Sequence, residues 1–177
     1  MDRPRDADRP LDVMCADILE RYHAALHFSL PRIRDELAAL CGSGASGALR
    51  NVRTVFSDLA DLIEGHLAKE EHLLFPALEA LAVAERSPGH RPASTFVTVL
   101  HPIRLMEAEH ARIELALQHL RGLTLEVGEP DSLSAGWRRC LAELAVLDGD
   151  LREHHRAEDE ILFPLALDLE RRLLSLG

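Results

Sequence analysis

HLAKEEHLLFPAL at positions 66–78 and HHRAEDEILFPLA at positions 154–166 align without a gap, and their reading decides the fold. His66 pairs with His154, Glu70 with Glu158, Leu74 with Leu162, Phe75 with Phe163 and Pro76 with Pro164, while Glu71 faces Asp159. A shared Leu-Phe-Pro means little alone, because apolar coincidences are common among helices. The shared His and Glu carry more. Residues i and i+4 sit one above the other on a helix face, so each HxxxE directs an imidazole and a carboxylate to one point.

Around these copies, four long segments lack strand-like alternation and are rich in Ala, Leu, Glu and Arg, all strong helix formers. The pattern predicts helices at 11–41, 48–85, 93–122 and 132–173. The breaks carry Gly, Pro and Ser: CGSGASG (41–47), RSPGHRP (86–92) and GEPDSLS (128–134). Short loops favour antiparallel neighbours, so the fold class is all-α, an antiparallel up-down four-helix bundle. Residues 1–14 read as a short N-terminal segment and 15–173 as one bundle domain.

Each amphipathic helix turns a stripe inward at steps of three and four. The stripes read Leu19, His23, Leu26, Leu30, Ile33, Leu37, then Val52, Val55, Leu59, Leu62, His66, Glu70, Leu73, Ala77. The third gives Val99, Ile103, Met106, His110, Ile113, Leu117, and the fourth Leu144, Leu147, Leu151, His154, Glu158, Leu162, Leu165. Every stripe is interrupted near its middle by His, and two of them also by Glu. Mid-helix positions of an antiparallel bundle share a layer, so His23, His66, Glu70, His110, His154 and Glu158 converge in the core.

Any one of these histidines, taken alone, reads as an ordinary packed side chain. Six polar groups at one depth do not, because an unpaired buried carboxylate costs several kcal/mol. Buried imidazoles need partners as well. A pair of metal ions cancels both costs: four imidazoles bind terminally and two carboxylates bridge. Mixed imidazole and carboxylate ligation suits iron, and manganese or zinc less distinctively.

Composition agrees and removes several classes. The chain has 177 residues, 47% hydrophobic and 28% charged, enough for one domain with a sizeable core. No apolar run approaches the roughly 20 residues of a membrane span. The start, MDRPRDADRPLD, carries no apolar stretch of a secretion signal. A net charge of −10 argues against a nucleic-acid surface, which needs a basic face. Cys15, Cys41 and Cys140 are far apart and lack any CxxC, so they read as free thiols in a reducing cytoplasm.

These features resemble the haemerythrin-like superfamily, and within it the RIC (repair of iron centres) di-iron proteins. The resemblance rests on RYH (21–23) followed by LP (30–31), HLAKEEHLLFP (66–76), PIRLMEAEH (102–110) and HHRAEDEILFP (154–164). It implies two non-haem iron ions held by His23, His66, Glu70, His110, His154 and Glu158, with carboxylate and oxo or hydroxo bridges. It further implies a cytoplasmic protein of the nitrosative and oxidative stress response. Such a protein binds NO or O2 and supplies iron to damaged iron–sulfur proteins. Oxygen-carrying haemerythrins place a further His four residues after the third-helix ligand; here that position is Glu114. Asp159 competes with Glu158 by its spacing from His154, and His155 competes with His154 by adjacency. The repeat favours Glu158 and His154. Longer RIC relatives add a cysteine-containing N-terminal region before the bundle, whereas here about ten to fifteen residues precede the first helix and Cys15 is the one cysteine near them.

Two other metal readings stand beside this one. The first is oxygen storage or sensing of the haemerythrin type. The second is a ferritin-like oxidase, for which Glu20 with His23 and Glu107 with His110 supply the Glu-x-x-His pairs beside Glu70 and Glu158. A metal-free interaction bundle is the remaining class. Of the local features, Pro76 and Pro164 predict bends on the C-terminal side of the metal layer. Gly65 reads as a point of close approach or a tolerated glycine. Tyr22 reads as packing beside His23, and Glu109 as a solvated acid or one at a channel mouth. Glu71 and Asp159 point toward solvent or flank the ligands. His27, His72, His90, His101, His119 and His155 fall off the stripes.

Overall fold

Residues 9–42, 45–87, 98–128 and 134–175 are described by a computed structural model of the chain. Among them are four long helices and no strand. Helix α1 (residues 11–40) joins Leu11–Ile18 to Ala24–Leu40 through a π-helical turn, Leu19–His23. Helix α2 (residues 47–86) joins Gly47–Lys69 to Phe75–Arg86 through the π turn Glu70–Leu74. Helix α3 is Leu100–Glu126. Helix α4 (residues 135–175) joins Ala135–Ala157 to Phe163–Ser175 through the π turn Glu158–Leu162. The expected start of the third helix, residues 93–97, lies outside the described residues, as does His90.

Local chemistry sets the ends. Ser46 and Ser134 open α2 and α4, their hydroxyls accepting the Leu49 and Trp137 N–H groups at 3.1 and 3.2 Å. The start of α3 is capped from another helix: Glu170 of α4 accepts the Val99 N–H at 2.8 Å and the Thr98 hydroxyl at 2.7 Å. Beyond α3, Gly128 takes φ 127°, a backbone region that disfavours any side chain.

Chain neighbours pack side by side and antiparallel. Arg34 of α1 meets Asp61 of α2, Lys69 of α2 meets Glu109 of α3, Arg152 of α4 meets Glu114 of α3, and Arg32 of α1 meets Glu143 of α4. The bundle is therefore closed and up-down. Its interior falls into two apolar clusters. One gathers Leu26, Leu30, Phe56, Ile63, Ile113, Trp137 and Leu147. The other gathers Met14, Ile18, Leu74, Phe75, Ile103, Leu162 and Phe163. Between them lies a layer of buried His and Glu.

The π turns change the register of two stripes. The Phe75 N–H bonds to the Glu70 carbonyl and the Phe163 N–H to that of Glu158, five residues back in each case. One additional residue is thereby accommodated in the turn. Leu74 is buried in place of the expected Leu73, which is 46% exposed. The prolines follow directly, where a missing N–H is tolerated at the first turn of the continuing helix. The departure from regular α-helix thus lies at the polar layer itself, directly ahead of Pro76 and Pro164. Gly65 faces open space, with nothing within 4 Å of an added Cβ, so it permits no close approach.

The register shift has a measurable cost pattern. Leu74→Ala should destabilise metal-free protein by about 2–5 kcal/mol, as for other buried leucines. Leu73→Ala should stay within about 0.5 kcal/mol. Denaturant unfolding measures both, and equal losses would contradict the shift.

Candidate metal centre

The layer collects all six expected residues. His23 comes from α1, His66 and Glu70 from α2, His110 from α3, and His154 and Glu158 from α4; every one is buried. His23 closes the π turn of α1, while Glu70 and Glu158 open those of α2 and α4. Wide turns therefore aim three of the six side chains.

Their donor atoms form two groups that share both carboxylates. His23 and His154 bring their Nε2 atoms to 3.2 Å from each other, and His66 and His110 do the same at 3.2 Å. Glu70 divides its oxygens between the pairs: Oε1 lies 3.3 Å from His66 Nε2, and Oε2 lies 3.4 Å from His23 Nε2. Glu158 mirrors it, with Oε1 3.2 Å from His154 Nε2 and Oε2 3.3 Å from His110 Nε2. His23, Glu70, His154 and Glu158 have donor atoms within 4.8 Å of one another, as do His66, Glu70, His110 and Glu158.

Three of the imidazoles have their outer nitrogen fixed. His23 Nδ1 lies 2.9 Å from Glu71, His66 Nδ1 3.2 Å from Glu109, and His110 Nδ1 2.9 Å from Asp159. A carboxylate on Nδ1 holds the proton there and leaves the Nε2 lone pair facing inward. Glu71 also accepts from His27 Nε2 at 2.7 Å, and Glu109 is ion-paired to Lys69. Lys69 borders a cavity of about 240 Å³ lined also by Leu73, His101 and Leu105. His154 Nδ1 is buried without a hydrogen-bond partner, and Tyr22 stacks on that ring at 5.5 Å.

The residues fit a pair of cations on one observation above all: none of the four oxygens of Glu70 and Glu158 has a hydrogen-bond partner, and both side chains are fully buried. Such oxygens need positive charge. In its absence His23 and His110 supply part of it as protons. Burial pushes the Glu70 carboxyl up, but His110, His23 and His66 outweigh this and hold it well below the usual carboxylate range. Burial opposes a charge on His110 as well. Asp159, Glu158 and Glu70 prevail and raise its pKa to about 11. His23 is raised in the same way, with burial opposed by Glu70 and Glu71.

Several readings of single residues change. Glu20 and Glu107 are exposed, so the ferritin-like set does not assemble. Glu109 is buried between His66 and Lys69, not solvated. Its side chain accepts from Lys69, which stands one step before Glu70. His155, which falls off the stripe, is half-buried beside the layer. Its ring stacks on His110 at 3.9 Å and 14°, and its Nε2 is buried without a partner. Burial, with the positive His110 beside it, pushes its pKa down to about 2. His27, His72, His101 and His119 are exposed.

Comparison with known proteins agrees with this geometry. The family model described as haemerythrin HHE cation binding domain matches residues 15–95 and 101–173. The chain is 31% identical over 169 residues to the iron-sulfur cluster repair protein YtfE of Edwardsiella ictaluri, an alignment covering 94% of this chain and 71% of that protein. It is 27% identical over 162 residues to the iron-sulfur cluster repair protein YtfE of Yersinia pseudotuberculosis, covering 90% of this chain and 67% of that protein. The same figures hold for the protein of that name from Yersinia pestis.

The protonated imidazoles give the metal-free protein a signed pH dependence. A folded-state value for His110 above the ordinary 6.5 contributes stability that is complete below 6.5 and is lost as pH rises through about 11. The lowered Glu70 adds stability present above 4.5 and lost as pH falls below it. The melting temperature of metal-free protein should therefore decline through the upper window. Cations replace those protons, so the metal-loaded protein should lack this decline, and loading should release protons. Melting both forms across pH checks this, and parallel profiles would contradict it.

Proposed function

Since the chain belongs to the haemerythrin HHE cation-binding domain family, we propose that it holds two non-haem iron ions and serves the repair of iron–sulfur clusters damaged by nitrosative and oxidative stress. The observation that carries the metal reading is the division of each buried carboxylate between two imidazole pairs. His23 and His154 would hold one ion and His66 and His110 the other, with Glu70 and Glu158 reaching both pairs. The repair role takes its support from the iron-sulfur cluster repair proteins that the chain resembles over 94% of its length.

Bound iron would supply reversible oxidation and open positions for a small ligand, NO or O2. The chain's own residues do the rest. Glu71, Glu109 and Asp159 keep protons on the outer imidazole nitrogens. The two apolar clusters keep bulk water from either side of the layer. The Glu70 and Glu158 carboxylates, each shared between the two imidazole pairs, would supply the negative charge facing both ions. The setting proposed is the cytoplasm, in keeping with free Cys15, Cys41 and Cys140. No helix among the described residues is long and apolar enough to cross a membrane.

Iron retention, ligand binding and iron transfer each test this reading. Glu70→Ala or Glu158→Ala should lower iron retention at both positions, because each side chain spans both. Glu20→Ala and Glu107→Ala should retain two ions per chain, and loss of an ion in either would contradict the ligand set. Separately, anaerobic NO titration of the ferrous protein should change its absorption spectrum. Iron quantification after mixing with an iron–sulfur protein lacking part of its cluster should show transfer. Unchanged spectra would remove gas binding, absence of transfer would remove iron supply, and a reversible adduct in air would favour oxygen storage.

A further inference from the structure

The two halves of the layer are unequal. On one side, His66 and His110 are both braced through Nδ1, by Glu109 and Asp159. On the other, only His23 is braced, by Glu71, while His154 Nδ1 has no partner. His155 adds to the difference. It lies parallel to His110 at 3.9 Å and crosses His66 at 5.8 Å and 82°. A donor nitrogen on each of His66, His110 and His155 falls within 4.8 Å of the other two. His155 Nε2 is buried and has no hydrogen-bond partner in the protein. A buried ring nitrogen without a partner beside two converging imidazoles is chemically incomplete unless it acts as a donor.

We propose that His155 is a third imidazole donor at the His66–His110 half, which makes this half the retaining metal position and the His23–His154 half the exchangeable one. The inference rests on the two-cation reading above. It places a fifth imidazole on α4, next in sequence to His154, whereas Glu114 occupies the third-helix position where oxygen-carrying haemerythrins have theirs. A neutral imidazole adds ligand strength without adding charge, so the retained ion is distinguished by coordination and bracing, not by a further carboxylate. A protein with such a centre surrenders one ion while the other holds the layer together.

The test is metal release from the intact chain. Fully ferrous-loaded protein is mixed anaerobically with excess chelator, and the rate and stoichiometry of iron loss are followed. Wild type should lose one ion per chain quickly and one slowly. His155→Phe keeps the stacked ring and its volume but removes the nitrogen. In that variant the slow phase should accelerate by about 10–100-fold and approach the fast one. His155→Leu should behave likewise, which covers the case in which Phe does not fit. A single release phase in wild type overturns the inference, and so does an unchanged slow phase in the variants, in each case leaving the two-cation reading in place. Fewer than two ions bound by wild type overturns both.

Discussion

The bundle is organised by the cost of burying charge. Glu70 and Glu158 are fully buried with no hydrogen-bond partner in the protein on their oxygens, between two apolar clusters. Everything nearby answers that cost. Four imidazoles converge on the oxygens, three of them held from behind by acids. When cations are absent, protons on His23 and His110, whose pKa values are both raised by the neighbouring carboxylates, stand in for them in part. The fold therefore does not merely carry the site. Three of its four helices are interrupted at the polar layer by π turns, and those turns deliver His23, Glu70 and Glu158.

The fold and the six central residues were legible because both follow from periodicity. His and Glu at stripe positions of an amphipathic helix must enter the core, and the repeat of HxxxE fixed which of the adjacent candidates does so. Leu73 was misplaced because a stripe drawn at steps of three and four assumes an unbroken α-helix. The π turn at Glu70–Leu74 advances the register by one and buries Leu74 instead. Glu109 and His155 were not legible as interior residues for a related reason. Each lies one step from a stripe residue, and only packing across the bundle, against Lys69 and His110, shows that this step still points inward. The ferritin-like pairs failed on the same ground, since Glu20 and Glu107 turn to solvent while their His partners turn in.

Family membership and geometry bear on different parts of the reading. The family model and the repair proteins speak for the chain as a whole, from residue 15 to residue 173. Those proteins are longer, since the alignments cover 71% and 67% of them. The inequality between the two halves of the layer comes from the side chains alone. It rests on His155, an unbraced His154 and three acids placed behind the other imidazoles.

The division of the interior into two apolar clusters has a mechanical meaning. The two clusters are separate sets of buried side chains, and every helix contributes at least one side chain to the polar layer between them. If that layer holds the two cations proposed above, they tie the end built from Met14, Phe75 and Phe163 to the end around Phe56 and Trp137, and removal of one ion would weaken that tie.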